Sequence, residues 1–204
     1  ADIYDNSYAL IIGINKYQNV KELSYAVNDA EAIYNKLINE YDFHKSKVKL
    51  LLDIKATNYN IKKEFNSIVL SAGSNDRILI YFAGHGETMP LPDGGEMGYL
   101  IPWEGESNNL YMTSIPMSEL KQLSSMSKAK HILYLVDACY SGLATTNYRS
   151  LNNEQQSNFI SKITNNKSRQ IITAGSKDEQ VIEKSEWGHS AFTKNLLSGL
   201  SYRN

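Results

Sequence analysis

Short apolar runs of strand length alternate with stretches of helical periodicity along this chain, and this alternation is its most constraining feature. Five runs predict buried strands, at Tyr8–Ile14, Val48–Leu52, Arg77–Ala83, His131–Val136 and Arg169–Ala174. Periodic segments predict helices at Ala26–Tyr41, at Asn58 to about Ala72 after a Thr57 cap, at Ile115–Met126 and at Ser190–Leu200. The alternation predicts an α/β fold with a mostly parallel sheet covered on both faces. Ligands of such sheets bind beyond the carboxyl ends of the strands, so function is expected there.

The length and charge of the chain narrow the class of protein. It has 204 residues and a formal net charge of −1, which predicts one domain and gives no reason to expect a nucleic-acid or acidic-membrane partner. The single cysteine excludes a disulfide within the chain and fits a reducing compartment, so we expect a cytoplasmic location. No apolar run reaches the length of a transmembrane helix, and residues 1–7 lack the apolar core of a signal peptide.

Two predicted strands run into residues that can carry chemistry. The third strand ends in Ala83-Gly-His-Gly86, where glycines allow unusual backbone angles and close approach of a substrate. Read alone, His85 could equally be an exposed turn residue. The fourth strand ends in Asp137-Ala-Cys-Tyr-Ser-Gly142, and a lone cysteine is more often a buried, inert residue than a nucleophile.

The two features reinforce one another, because a thiol with a pKa of about 8.5 needs an imidazole to become a nucleophile at neutral pH. Consecutive strands are often neighbours in a sheet, so we expect His85 and Cys139 to lie close together. The backbone N–H groups of Gly86 and Cys139 are the candidates for stabilising the oxyanion. The sequence therefore predicts a Cys139/His85 pair for nucleophilic catalysis.

The motifs Tyr81–Gly86 and Asp137–Gly142 resemble the two signature motifs of caspase-like cysteine peptidases, and they are most similar to metacaspases and bacterial orthocaspases. The resemblance spans nearly the whole chain. Four further segments resemble the first strand, the opening helix motif and the two small-subunit motifs of the family: Ala9–Asn15, Ala26–Ala30, Ala174–Gln180 and Gly188–Thr193.

This resemblance implies the fold, the reaction and the organisation of the chain. The fold is a caspase-like three-layer α/β/α sandwich with about six mostly parallel strands. Cys139 attacks the scissile carbonyl and His85 protonates the leaving amine. The single domain divides into a large-subunit-like part (1–143), a polar linker (144–168) and a small-subunit-like part (169–204). Oligomeric state is open, and a regulatory domain or partner outside this chain is a further expectation.

Metacaspases cut after Arg or Lys through an acidic pocket, and the matching positions here are Asp29 and Asp137. A buried carboxylate pair suits a guanidinium, which can bind it by bidentate hydrogen bonds. The alternative for Asp29 is a helix N-cap, and the alternative for Asp137 is a strand-end residue that binds nearby backbone amides. Ala83 and Ala26 replace a Ser and a Cys that are common in metacaspases, which removes secondary contacts from that pocket.

Processing and metal dependence are constrained by charged residues. No Asp lies between Tyr140 and Lys177, so maturation by cutting after Asp is excluded there, and Arg149 is the candidate for self-cleavage. Some metacaspases need calcium. Asp93, Glu96, Glu104 and Glu106 lie after His85, but no acidic residue follows Cys139 until Glu154. Calcium takes about six or more oxygen ligands, several of them carboxylates, so we expect no cofactor, and an activating calcium site is the alternative.

Three functions fit these observations. The first is a cysteine endopeptidase acting on protein or peptide substrates with a basic residue before the cut. The second is a catalytically silent scaffold, which would not need both Cys139 and His85. The third is a thiol acyl hydrolase acting on a non-peptide substrate, for which an acidic pocket has no evident use.

Overall fold

The computed structural model describes residues 3–138, 166–175, 183–184 and 186–201. The strands in this part of the chain are β1 (Ser7–Gly13), β2 (Val48–Leu52), β3 (Arg77–Ala83), β4 (Gly86–Pro90), β5 (Glu96–Leu100), β6 (Ile115–Pro116), β7 (His131–Asp137), β8 (Ser168–Thr173), β9 (Glu183–Lys184) and β10 (His189–Ser190). The α-helices are α1 (Ala26–Glu40), α2 (Asn58–Ser71), α3 (Leu110–Thr113), α4 (Met117–Met126) and α5 (Ala191–Ser201), and short 3-10 helices cover Lys45–Lys47, Asp53–Lys55 and Ser107–Asn109.

The central sheet has the strand order β2-β1-β3-β7-β8, and every neighbouring pair in it is parallel. These five strands coincide with the five predicted apolar runs. The interior strands β1, β3 and β7 are mostly buried, as strands covered on both faces should be, whereas the edge strands β2 and β8 are mostly half-buried or exposed. The mostly parallel α/β sheet is therefore confirmed. Two neighbouring interior strands, β3 and β7, are the ones whose ends carry His85 and the Asp137–Gly142 motif.

Helices cover both faces of this sheet and form two apolar cores. Helices α1 and α5 pack on one face, where Ile33 and Leu37 of α1 are buried against Ile11. Helices α2 and α4 pack on the other, where Phe65 and Leu120 are buried. Burial of each such side chain stabilises the fold by about 1.5–3 kcal/mol. The packed sheet therefore holds the ends of its strands in fixed positions.

Gly13 sets how closely α1 approaches the sheet. A Cβ at this position would lie 2.5 Å from both the Ala26 carbonyl oxygen and the Ala30 Cβ, which is closer than atoms can pack. The first turn of α1 therefore lies directly against the carboxyl end of β1. This contact brings Asp29, in that first turn, to the same edge as the ends of β3 and β7.

The predicted helix Ile115–Met126 begins two residues later than expected. Pro116 is extended (φ −68°, ψ 139°) and caps α4, whereas Ile115 and Pro116 pair with β5. The β4–β5 hairpin was not predicted, because its strands are half-buried and lack a long apolar run. Its turn uses Gly94 and Gly95 at φ +88° and +87°, a conformation that glycine adopts readily.

The starts of α2 and β8 can also be compared with the sequence predictions. Thr57 caps α2 as predicted, since its hydroxyl oxygen accepts a hydrogen bond from the Asn60 N–H. Ser168 belongs to β8 rather than to the linker, because it pairs with His131. Within the described ranges, no helix combines the length and the apolar character that crossing a bilayer requires.

Candidate active site

The carboxyl ends of β3 and β7 lie side by side. Ala83 is opposite Asp137 in the parallel pair, and the Gly84 N–H donates to the Asp137 carbonyl oxygen at 3.2 Å. His85 follows Ala83 by two residues, and Cys139 follows Asp137 by two residues. The described chain at this point ends at Ala138, which is buried. Cys139 and the self-cleavage candidate Arg149 lie outside the described residues.

His85 is held by two groups from the connection between β1 and α1. Its backbone N–H donates to the Tyr17 hydroxyl at 2.8 Å, and the two rings contact each other with centroids 5.0 Å apart. Its ring Nε2 lies 2.8 Å from the Lys21 carbonyl oxygen. A carbonyl can only accept a hydrogen bond, so Nε2 carries the proton. In the neutral ring, Nδ1 is then the nitrogen that can accept a proton.

The β1–α1 connection is itself fixed at both of its ends. Asp53 Oδ1 accepts hydrogen bonds from the N–H groups of Asn15 and Lys16, at 2.8 and 2.9 Å. Asn15 Oδ1 accepts from the Val27 N–H at 3.1 Å and so ties the connection to the start of α1. The Gln18 N–H donates to the Trp103 carbonyl at 2.9 Å. The Lys21 carbonyl is therefore presented to His85 by a well-anchored segment.

The glycines on either side of His85 differ in what their environment demands. A Cβ on Gly84 would lie 2.5 Å from the Tyr17 hydroxyl oxygen and 3.0 Å from the Phe82 ring, so only glycine fits. Gly86 is half-buried and opens β4, opposite Leu100 of β5. Its proposed part in oxyanion stabilisation stays a prediction.

The two predicted pocket residues meet at this edge through Ser190. Asp29 and Asp137 are 1% and 4% exposed. Asp29 Oδ2 accepts from the Ser190 N–H at 3.1 Å, and Asp137 Oδ2 accepts from the Ser190 hydroxyl. Two acidic residues that are 108 positions apart in sequence therefore share one partner.

The remaining recorded bonds of Asp137 come from hydroxyl groups. Thr193 Oγ1 lies 2.5 Å from Asp137 Oδ2, and the Tyr81 hydroxyl lies 3.4 Å from the same oxygen. Thr193 is fully buried and its N–H donates to the Ser190 hydroxyl oxygen at 3.0 Å. The start of α5 thus orients the Asp137 carboxylate with uncharged donors.

Burial raises the pKa of the Asp29 carboxyl from its ordinary 3.8 to about 6, and the nearby negative charge of Asp137 adds to the rise. The Ser190 N–H and the His189 imidazole act in the opposite direction, because they bind the ionised form. Burial also raises the pKa of the Tyr81 hydroxyl, with Asp137 and Asp29 as further causes, so Tyr81 is a neutral donor at physiological pH.

Asp29 is not a helix cap. Helix α1 begins at Ala26 after Tyr25, so Asp29 lies within the first turn, and its carboxylate binds His189 and Ser190 instead of its own helix. Within the described residues, the side-chain hydrogen bonds of Asp137 are to the hydroxyl groups of Ser190, Thr193 and Tyr81.

The sequence reasoning missed several residues of this edge. His189, Ser190 and Thr193 all lie in the Gly188–Thr193 motif, which was the signal available for them, although the spacing of His189 suggested no metal site. The Lys21 carbonyl has no side-chain signature at all.

The acidic residues considered for calcium do not come together in the described chain. Glu104 Oε1 accepts the Asn58 N–H at the start of α2, and Asp93 belongs to the turn between β4 and β5. Within the described ranges, no group of three or more His, Cys, Asp or Glu side chains is close enough to hold a metal ion.

Asp29→Asn should change the stability of the protein by an amount that depends on pH. The carboxyl pKa is higher in the folded chain than in the unfolded one, so its ionisation opposes folding; this cost is absent below about pH 4 and complete above about pH 6. Asparagine does not ionise. The free energy of unfolding of the variant, relative to the parent, should therefore rise by up to about 3 kcal/mol between pH 4 and pH 7.

Urea denaturation at several pH values between 4.5 and 7.5 measures this difference. Asp42→Asn, which removes an exposed carboxylate, corrects for the loss of one negative charge. A difference that stays constant or falls as the pH rises would contradict the assigned effect of burial.

The fold and this edge together define a caspase-like α/β protein. A sequence profile of the caspase domain matches residues 6–204, and the chain belongs to that family, peptidase C14. Among solved structures, a protein from Geobacter sulfurreducens superposes with a TM-score of 0.69 at 19% identity, covering 96% of this chain and 82% of that one. The structure titled pro-sf-caspase-1 superposes with a TM-score of 0.54 at 13% identity, covering 98% and 74%. At such identities these likenesses establish the fold alone.

Curated relatives of the chain are metacaspases. Metacaspase-6 of Arabidopsis thaliana is 30% identical over 145 residues, which are 66% of this chain and 38% of the relative. Metacaspase-1 of Eremothecium gossypii is 29% identical over 151 residues, which are 68% and 32%. The chain therefore spans about a third of the length of these relatives.

Proposed function

We propose that this chain is a cysteine endopeptidase that cuts after Arg or Lys, with Cys139 as nucleophile and His85 as its acid–base partner. The observation that carries the proposal is the pairing of Ala83 with Asp137, which makes the ends of β3 and β7 neighbours two residues before His85 and Cys139. The family and the names of the curated relatives support the reaction class.

The mechanism follows from the tautomer of His85. Nδ1 accepts the proton of the Cys139 thiol, and the thiolate attacks the carbonyl carbon of the scissile peptide bond. The backbone N–H groups of Gly86 and Cys139 stabilise the resulting oxyanion. The imidazolium then donates its proton to the leaving amine, and water releases the acyl group from sulfur with His85 as base.

The preference for a basic side chain is proposed from Asp29 and Asp137. Both carboxylates are buried at the same edge as His85, and the recorded donors to Asp137 are uncharged hydroxyl groups that orient it. A substrate guanidinium or ammonium would offset the charge repulsion between the two acids, because opposite charges attract strongly when water is excluded. The metacaspase names support the same substrate class.

A reducing compartment, and hence the cytoplasm, is the proposed location, because a thiol nucleophile has to stay reduced. We propose that the reaction needs no cofactor. If the chain processes itself, Arg149 is the proposed position, since it lies in the most polar part of the linker.

A panel of fluorogenic peptides with Arg, Lys, Asp or Asn before the cut tests the proposal. Wild type and Cys139→Ala are assayed with calcium and with a chelator, and the same samples are run on a denaturing gel to detect a cut near Arg149. We expect turnover after Arg and Lys at least about tenfold above Asp and Asn, since hydrogen bonds to charged groups contribute about 1.5–3 kcal/mol. Cys139→Ala should abolish both the cleavage of the peptides and the cut near Arg149.

Turnover only after Asp would contradict the acidic pocket, and full activity of Cys139→Ala would contradict the nucleophile. Absence of peptide turnover in both buffers would favour the scaffold. Turnover of thioesters without turnover of peptides would favour the acyl hydrolase.

A further inference from the structure

His189 makes a short, direct contact with the buried Asp29. Its ring Nδ1 lies 2.5 Å from Asp29 Oδ1, while its side chain is 27% exposed and that of Asp29 only 1%. The histidine is carried by β10, which pairs with Lys184 of β9, and it follows Gly188, which adopts φ +63°. Because a carboxylate can only accept, Nδ1 carries the proton in this pair.

Two features of its surroundings make the ionisation of Asp29 harder. Asp137 at the end of β7 is a like charge, and burial removes water that would otherwise solvate the carboxylate. From β3, the Tyr81 hydroxyl is neutral, and from α5, Thr193 carries no charge. Lys194 lies over the Trp187 ring, with its Nζ 4.3 Å from the centroid. In the described chain, the side-chain donor to Asp29 is the His189 imidazole.

Two donors therefore hold the ionised Asp29, one on each oxygen. The Ser190 N–H is a backbone group, so every substitution at that position except proline leaves it in place. The His189 N–H is a side-chain group and can be removed by substitution. The neighbouring positions 189 and 190 thus bind the two oxygens and fix the plane of the carboxylate.

We propose that His189 is a positioning residue of the acidic pocket: its imidazole N–H holds Asp29 ionised and oriented for the cationic side chain of the substrate. This inference rests on the proposed function, because it assumes that the Asp29 carboxylate receives that side chain. The residue acts through Asp29 and has no part in bond cleavage.

The role predicts a selective defect. Loss of the His189 donor favours the protonated form of Asp29, so binding of a guanidinium weakens around neutral pH. A substrate with citrulline in place of arginine has nearly the same shape and no charge, so its cleavage should be unaffected. A merely structural role of His189 would reduce the cleavage of both substrates together.

The experiment compares His189→Leu, which removes the donor at similar volume, with His189→Gln, which keeps an N–H donor. His44→Leu is the matched control, because His44 is exposed and its ring contacts only its own loop through Ser46. Rates with Arg and citrulline peptides are measured from pH 5 to 8.5. For His189→Leu we expect an acid limb of kcat/KM moved upward by about one pH unit, so the KM for the Arg peptide should rise by about twofold at pH 7 and by about fivefold at pH 6. Wild type and His44→Leu should have the same KM and the same pH profile of kcat/KM. His189→Gln should regain most of the affinity for the Arg peptide that His189→Leu loses.

A second measurement does not depend on turnover. In the Cys139→Ala background, the side-chain carboxyl carbon of Asp29 is followed by carbon-13 NMR during a pH titration, with and without His189→Leu. The midpoint should rise when the histidine is removed. An unchanged midpoint would overturn the proposal, and so would an equal loss on Arg and citrulline peptides in a variant whose melting temperature is unchanged.

These outcomes separate the two proposals. If wild type cleaves neither peptide, the proposed function fails, while the NMR titration still decides whether His189 keeps Asp29 ionised. If wild type cleaves Arg and citrulline peptides equally well, the acidic pocket fails as the specificity site, and the assignment to His189 fails with it. If Arg is preferred and His189→Leu leaves both the preference and the acid limb intact, only the inference about His189 is overturned.

Discussion

Replacement of His85 by alanine is expected to lower kcat/KM on an Arg peptide by about a thousandfold, with little change in folding. In the proposed mechanism, the variant lacks the base that activates the thiol and the acid that protonates the leaving amine, and such groups contribute about 10²–10⁴ in rate. Only part of the ring is buried, and its recorded hydrogen bond is to the Lys21 carbonyl, so the loss of stability should be small. The rate is measured with the fluorogenic Arg peptide, and the fold by thermal denaturation.

His44→Ala is the matched control, because it removes an exposed imidazole far along the chain from the site and should leave kcat/KM unchanged. If His85→Ala retains more than a tenth of the parent activity and folds normally, another base must be sought.

Gly84→Ala is expected to reduce kcat/KM by about a hundredfold although the alanine side chain is inert. Its Cβ would lie 2.5 Å from the Tyr17 hydroxyl oxygen and 3.0 Å from the Phe82 ring, so the backbone at Gly84 or the tyrosine has to move. Either movement disturbs the hydrogen bond from the His85 N–H to Tyr17, and displacement of a catalytic group by about 1 Å can cost about 10²-fold. We also expect a loss of about 1–3 kcal/mol in the free energy of unfolding, as in other overpacked interiors.

Gly199→Ala is the control for this variant, since a Cβ there meets open space on α5 and should stabilise the helix by up to about 1 kcal/mol. Activity is measured at a temperature where circular dichroism reports Gly84→Ala as folded. A folded variant within threefold of the parent would mean that the position of His85 does not depend on the packing of Gly84 against Tyr17.

The interior strands β1, β3 and β7 could be predicted from the sequence because burial on both faces favours continuous apolar runs. The edge strands β2 and β8 also carry short apolar runs, although they are only partly buried. The neighbouring ends of β3 and β7 followed from the usual adjacency of consecutive strands. The β4–β5 hairpin could not be read in this way, since its half-buried strands carry no distinctive period. Pro116 shows a further limit: its fixed φ suits both a helix start and an extended residue, and only the pairing with β5 decides between them.

The acidic edge was predicted in part. Asp29 and Asp137 were selected by resemblance, and their common partner Ser190 could not be derived because it depends on how α5 docks against α1. The Lys21 carbonyl and the Tyr17 hydroxyl illustrate the same difficulty for His85. One is a backbone atom common to every residue, and the other is a buried tyrosine that a core alone would explain.

The connection between β1 and α1 has a consequence for how this protein responds to change. Its middle holds the His85 ring through Lys21, and its beginning, Asn15, is bonded to the first turn of the helix that carries Asp29. This connection of twelve residues (14–25) thus supports both the histidine and the aspartate on which the proposed proton transfer and substrate selection depend. Substitutions within the connection should change kcat and KM together. A tight inhibitor bound to Asp29 should also reduce the motion of the His85 ring.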